Sequence, residues 1–217
     1  MDKTINPWRK DFPLLQIDPV MYLDNAATAQ RPACVIEAVK AFYEQANANP
    51  LRGFYPLSLK ATQMYEDARK TVQRFIYAPS ERCVIFTRNT TESLNLVAYS
   101  YAMHHLKAGD EIAVSILEHH SNILPWQMVA SQTGATLRYM DCEPDGTLTD
   151  ETIEQTIGEK TKLVAIGHVS NVLGCVNPVK KIIDRAHAVG AVAVLDAAQS
   201  APHMPLDVQA LDADFVA

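Results

Sequence analysis

An acid at the end of a buried strand is the first place where this sequence offers chemistry. Ala191-Val192-Ala193-Val194-Leu195 is a run of small and branched apolar residues that fits a strand covered on both faces, and Asp196 follows at its carboxyl end. A carboxylate there can hold a proton on a heteroaromatic nitrogen, and Gln199 can present an amide to the same ring. A cap for the following turn is the alternative use of Asp196. After another apolar run, Arg88-Asn89-Thr90-Thr91-Glu92 opens a helix. Two hydroxyls with backbone N–H groups at a helix start suit a phosphate, although the same residues can form a capping box on a threonine. In Glu118-His119-His120-Ser121-Asn122 the adjacent histidines point apart, which is poor for a metal ion but lets one ring lie flat on another. His168-Val169-Ser170-Asn171-Val172-Leu173-Gly174 adds an amide, Asn171, on a turn that Gly174 tightens. Together these residues describe a pocket for a phosphorylated, protonated heteroaromatic ring, with no metal site.

The elements that must carry them alternate. Apolar runs predict strands over Cys83–Thr87, Glu111–Ser115, Thr136–Met140, Lys162–Gly167 and Ala191–Asp196, with a last one beginning near Ala213. Helical spacing predicts helices over Thr91–Leu106, Ile123–Gln132, Thr149–Ile157 and Val179–Val189. Such alternation is the signature of an α/β fold with a parallel sheet and crossover helices. Upstream, residues 1–20 carry Pro7, Pro13 and Pro19 and read as an arm with one short helix. Tyr22–Asn25 reads as a short strand, Pro32 opens a helix, and Leu57 to about Tyr77 forms a long helix. Its stripe of Leu59, Thr62, Tyr65, Ala68, Val72, Phe75 and Ile76 is expected to pack on the core.

Composition narrows the field. With 217 residues, 48% hydrophobic and 20% charged, the chain can bury a sizeable core, and a net charge of −6 offers no basic face for nucleic acid. No apolar run suits a membrane span or a secretory signal, and Cys34, Cys83, Cys142 and Cys175 lack Cys-x-x-Cys spacing. A cytoplasmic protein is expected. Cys175, nearest the pocket, is expected to be a small buried filler.

The series Tyr22-Leu23-Asp24-Asn25-Ala26-Ala27, Arg52-Gly53, Thr90-Thr91-Glu92, Glu118 to Trp126, His168 to Gly174 and Asp196-Ala197-Ala198-Gln199 resembles the class V aminotransferase-fold pyridoxal-phosphate enzymes. Within them it is most similar to the Suf-type cysteine desulfurases and selenocysteine lyases, from about residue 8 to the last residue. The resemblance implies the large domain of a fold-type I enzyme over residues 21–217, with a mostly parallel sheet and flanking helices. It also implies a homodimer, a small amino-acid substrate (cysteine or selenocysteine) and a sulfur-acceptor protein for iron–sulfur cluster assembly. By position, Thr90 and Thr91 match the phosphate-binding turn, and His119 matches the histidine stacked on the cofactor ring, with a share in proton relay. Asp196 matches the partner of the pyridine nitrogen, Gln199 the partner of the ring oxygen, and Asn171 an asparagine near that oxygen and the substrate carboxylate. The alternatives are a selenocysteine lyase, another enzyme of the same fold, or a cofactor-binding or dimerising fragment without catalysis.

Departures from the family pattern bear on the substrate. The family's cofactor-binding lysine, its sulfur-accepting cysteine and its carboxylate-binding arginine fall past Ala217, as does its small domain. These 217 residues alone are therefore expected to show no turnover. Leu51 stands where a histidine is common, Tyr55-Pro56 replaces a His-Thr pair, and Asn89 replaces a glycine, where a left-handed backbone is expected.

Overall fold

A computed structural model describes residues 6–17 and 21–217; residues 1–5 and 18–20 of the expected arm, Pro19 among them, lie outside the described residues. The chain divides into two compact units, Met1–Thr71 and Val72–Ala217.

In the first unit a 3-10 turn spans Pro7–Asp11, where the Asn6 side chain accepts the Trp8 N–H at 3.0 Å, and α1 covers Leu14–Ile17. Tyr22–Asn25 is not a strand: Asn25 already begins a turn, and the Tyr22 hydroxyl donates across it to the Thr28 carbonyl at 2.7 Å. A strand needs a ladder as well as apolar residues, and this turn takes its place. Helix α2 spans Ala33–Gln45. Helix α3, Pro56–Phe75, begins in this unit, and it departs from expectation. Its buried residues are Ser58 and Ala61, while Leu59 and Phe75 of the expected core stripe are 53% and 63% exposed. Small residues are covered because the preceding loop crosses close over them: the Ser58 hydroxyl donates to the Asn49 carbonyl at 2.7 Å, and Leu51 N–H donates to Thr62 Oγ1 at 2.8 Å.

The second unit is built on a parallel sheet of five strands, β1 Glu111–Ser115, β2 Thr136–Met140, β3 Thr161–Gly167, β4 Val192–Asp196 and β5 Phe215–Val216, in the order β2-β1-β3-β4-β5. Cys83–Thr87 is not among them. Its start is a 3-10 turn, Glu81–Cys83; Val84 is extended, and residues 84–87 form no regular element, with Ile85 67% exposed. Apolar character there did not forecast membership of the ladder, which depends on a neighbour distant in sequence.

Helices cover both faces. A continuous helical run comprises α4 Thr90–Val97, a π-helical stretch Ala98–Ala102 and α5 Met103–His105. It is followed by α6 Leu124–Thr133, α7 Asp150–Thr156, α8 Val179–Ala188 and the short α9 Val208–Leu211. Strand side chains alternate between two cores, as a period of two requires. Ile112, Val114, Leu163, Ala165 and Val194 pack with Leu94, Ala98, Ala102, Trp126 and Val129 of α4, the π stretch and α6. Ala113, Val164, Ile166, Ala193 and Leu195 pack with Ile153, Val179, Ile182, Ile183 and Ala186 of α7 and α8. Continuing the alternation past Leu195 and Ile166 turns Asp196 and Gly167 towards the α4 and α6 face.

Candidate active site

The strand order reverses at β1, between β2 and β3, and in open α/β sheets ligands bind beyond the carboxyl ends of the strands at such a switch point. The turns that leave β1, β3 and β4 at that end carry His119, Asn171 and Gln199, and Asp196 is the last residue of β4.

Asp196 is 8% exposed at the end of β4, where its Oδ1 accepts the Ala198 N–H at 3.0 Å. The capping use foreseen for it is thus realised, and its carboxyl lies at the strand end on the side of α4 and α6. Burial pushes its carboxyl above the usual carboxylate range, while the Ala198 N–H and the nearby His119 oppose that shift. His119 is thus within electrostatic reach of Asp196. Its exposed ring is oriented by Ser121, with Nδ1 2.6 Å from the Ser121 hydroxyl and accepting the Ser121 N–H at 3.2 Å.

At the start of α4 the cap is Asn89 rather than a threonine. Its side chain accepts the Glu92 N–H at 2.9 Å, and Glu92 reaches back to accept the Arg88 N–H at 2.6 Å. Asn89 has φ −170°, so its backbone is extended and the expected left-handed geometry is absent. Thr90 and Thr91 occupy the first helical turn, where the positive end of the helix dipole lies. A cavity of about 430 Å³ brings Thr91 together with His119 and is also lined by Asn95, Tyr99, Ser121 and Met128. Asp196, Asn171 and Gln199 are outside that lining: Asn171 is exposed on the turn after β3, and Gln199 is half-buried on the turn after β4. Cys175 is half-buried, not the enclosed filler expected, because it lies on the same exposed turn region as Gly174.

Sequence reasoning missed Glu118. Its carboxylate accepts the Ser115 hydroxyl at 2.5 Å and Asn122 Nδ2 at 2.6 Å, and the Gly167 N–H also points to it. Burial, with Asp196 nearby, pushes its carboxyl up to about 7. An acid set between a largely buried strand and a 3-10 turn, His120–Asn122, was the available signal, but its partners lie on that turn and on two strands, β1 and β3.

Residues 21–217 match the family model described as aminotransferase class-V. The chain belongs to the class V aminotransferases. Among relatives of this class V aminotransferase, the probable cysteine desulfurase of Halalkalibacterium halodurans is 53% identical over 213 residues, 96% of this chain and 52% of that protein. The probable cysteine desulfurase of Synechocystis sp. is 50% identical over 212 residues, 96% of this chain and 50% of that one. The apo structure of a cysteine desulfurase from Thermococcus onnurineus superposes with a TM-score of 0.92 at 43% identity, covering 100% of this chain and 53% of that one. This class V aminotransferase thus has the type I fold and spans about half the length of the curated relatives it matches.

Proposed function

We propose that the protein is a pyridoxal-phosphate-dependent cysteine desulfurase that converts L-cysteine to L-alanine and leaves the sulfur as an enzyme persulfide for iron–sulfur cluster assembly. On this reading it works as a homodimer in the cytoplasm and hands sulfur to an acceptor protein; residues 1–20 are the arm and residues 21–217 part of the large domain. The observation that carries the reading is the buried Asp196 at the end of β4, with His119 in electrostatic reach. Relatives named as cysteine desulfurases, at 50–53% identity, support the substrate class. Four free cysteines fit a reducing compartment. Exposed Val35, Ile36 and Val39 on α2 give apolar surface that a second subunit could cover.

The residues present fit the cofactor. When bound, pyridoxal phosphate supplies a sink for the electron pair left on the substrate α-carbon. Asp196, a carboxylate enclosed at a strand end, would keep the proton on the pyridine nitrogen. Thr90 and Thr91 would hold the phosphate with their hydroxyls and the α4 N–H groups. His119 would lie against the ring face and move protons, Gln199 would meet the ring oxygen, and Asn171 would stand near that oxygen and the substrate carboxylate.

The test is to incubate the protein at its natural length with pyridoxal phosphate and L-cysteine, and to measure alanine and protein-bound persulfide. Equal yields of both are expected. Turnover of L-selenocysteine without turnover of cysteine would move the assignment to selenocysteine lyase, and cofactor binding with neither product would leave a binding role.

A further inference from the structure

We infer that Glu118 is a positioning residue that fixes the turn bearing His119 over the switch point, and so sets where His119 can meet the ring of bound pyridoxal phosphate. The inference rests on the proposed cofactor reading and goes beyond it by naming the support on which the stacking residue stands.

The support is a chain of polar contacts that runs from half-buried Glu118 to the buried pair Asn122 and Trp126. The Ser115 hydroxyl, at the end of β1, accepts the Leu117 N–H at 3.1 Å and donates to Glu118 Oε1. Glu118 Oε2 accepts Asn122 Nδ2, and Asn122 Oδ1 accepts the Trp126 indole N–H at 2.9 Å; Asn122 and Trp126 are both 0% exposed. The Asn122 backbone N–H donates to the His119 carbonyl at 2.8 Å. His119 is thereby held between its neighbour Glu118 and Asn122, whose side chain Glu118 grips. The other end of the anchor is the sheet itself. Gly167, paired with Asp196 in the β3–β4 ladder, leaves the space that the Glu118 carboxylate fills. Glu118 therefore references His119 to the strands that place Asp196. Buried polar networks of this kind fix geometry when every member is paired.

Glutamine preserves the arrangement, since its amide can donate to Ser115 Oγ while its oxygen accepts from Asn122 and Gly167; alanine removes it. The experiment is a double-mutant cycle on the protein at its natural length, reading pyridoxal phosphate affinity by fluorescence titration and the visible circular dichroism of the bound cofactor. Glu118→Ala is expected to weaken binding about tenfold and to lower the dichroic band, as His119→Ala does, and Glu118→Gln to recover most of both. In the His119→Ala background, Glu118→Ala is expected to change affinity less than about twofold. Ser115→Ala supplies a milder break in the same chain should Glu118→Ala fail to fold, and it too is expected to lose its effect in that background. Multiplying effects in either cycle would show that Glu118 acts independently of His119 and would overturn the inference while leaving the cofactor reading intact. No cofactor binding by the wild-type protein would overturn both.

Discussion

A β-carbon placed on Gly167 would stand 3.0 Å from Glu118 Oε2. The glycine has ordinary strand geometry, so its smallness and not a special φ is what the site uses. One strand end gives up a side chain so that an acid from the turn after another can lie over its backbone.

Gly167→Ala tests that packing. The added methyl is expected to cost about 1–3 kcal/mol in urea unfolding, the usual range for overfilling a packed site. Adding Glu118→Ala is expected to return part of this, because it removes the atom in the way. Two losses that simply add would show that the residues do not compete for the space.

The carboxyl of Glu118 makes stability depend on pH in a defined direction. Its folded pKa, pushed up to about 7 by burial, stands above the ordinary value of 4.5. The folded state thus binds the proton more tightly, and the stability this gives is complete below about 4.5 and lost as pH rises through about 7. The loss is about 3 kcal/mol at one titrating group. Wild type should lose more stability than Glu118→Gln between pH 5 and pH 8 in paired urea titrations. His168, whose pKa burial lowers, works in the opposite direction, and the comparison cancels it because both proteins retain it. Parallel pH profiles would refute the assignment.

Asp196→Ala is expected to lower alanine production by about 100-fold or more, since protonation of the ring nitrogen loses its partner. Folding should survive, because the strand core beside it, Ala193, Val194 and Leu195, is untouched. Near-normal turnover with an unchanged circular dichroism spectrum would refute the role given to Asp196.

What the sequence disclosed depends on whether a feature is local. Glu111–Ser115 and Thr136–Met140 were legible to the residue, the first as an apolar run buried from Ile112 to Ser115, the second from its strand-forming residues although only Met140 in it is buried. The turns bearing His119, Asn171 and Asp196 followed from knowing where those strands end. Cys83–Thr87 failed as a strand because pairing is a relation to another segment. The expected stripe held at Ile76, which packs against the core, and failed at Leu59 and Phe75; at the start of α3 the Asn49–Leu51 loop covers small residues instead of large ones. Glu118 stayed hidden for the same physical reason: its partners Ser115, Gly167 and Asn122 share no periodic pattern. The left-handed Gly174, by contrast, at φ 69°, was readable from its residue type.

The π-helical stretch Ala98–Ala102 interrupts the helix whose first turn carries Thr90 and Thr91. Thr91, Asn95 and Tyr99 all face the cavity beside His119, and Tyr99 lies within the widened turn. A π turn holds one residue more than the α-helical register requires. Deleting a single residue there would restore plain α-helix, leaving Met103–His105 in place while the side chains within the stretch take new positions. The helix would survive with its capped start in place, yet the aromatic wall at Tyr99 would swing away and another side chain would take its position. Pocket shape at this wall can thus change through chain length alone, with Thr90, Thr91 and His119 themselves unchanged.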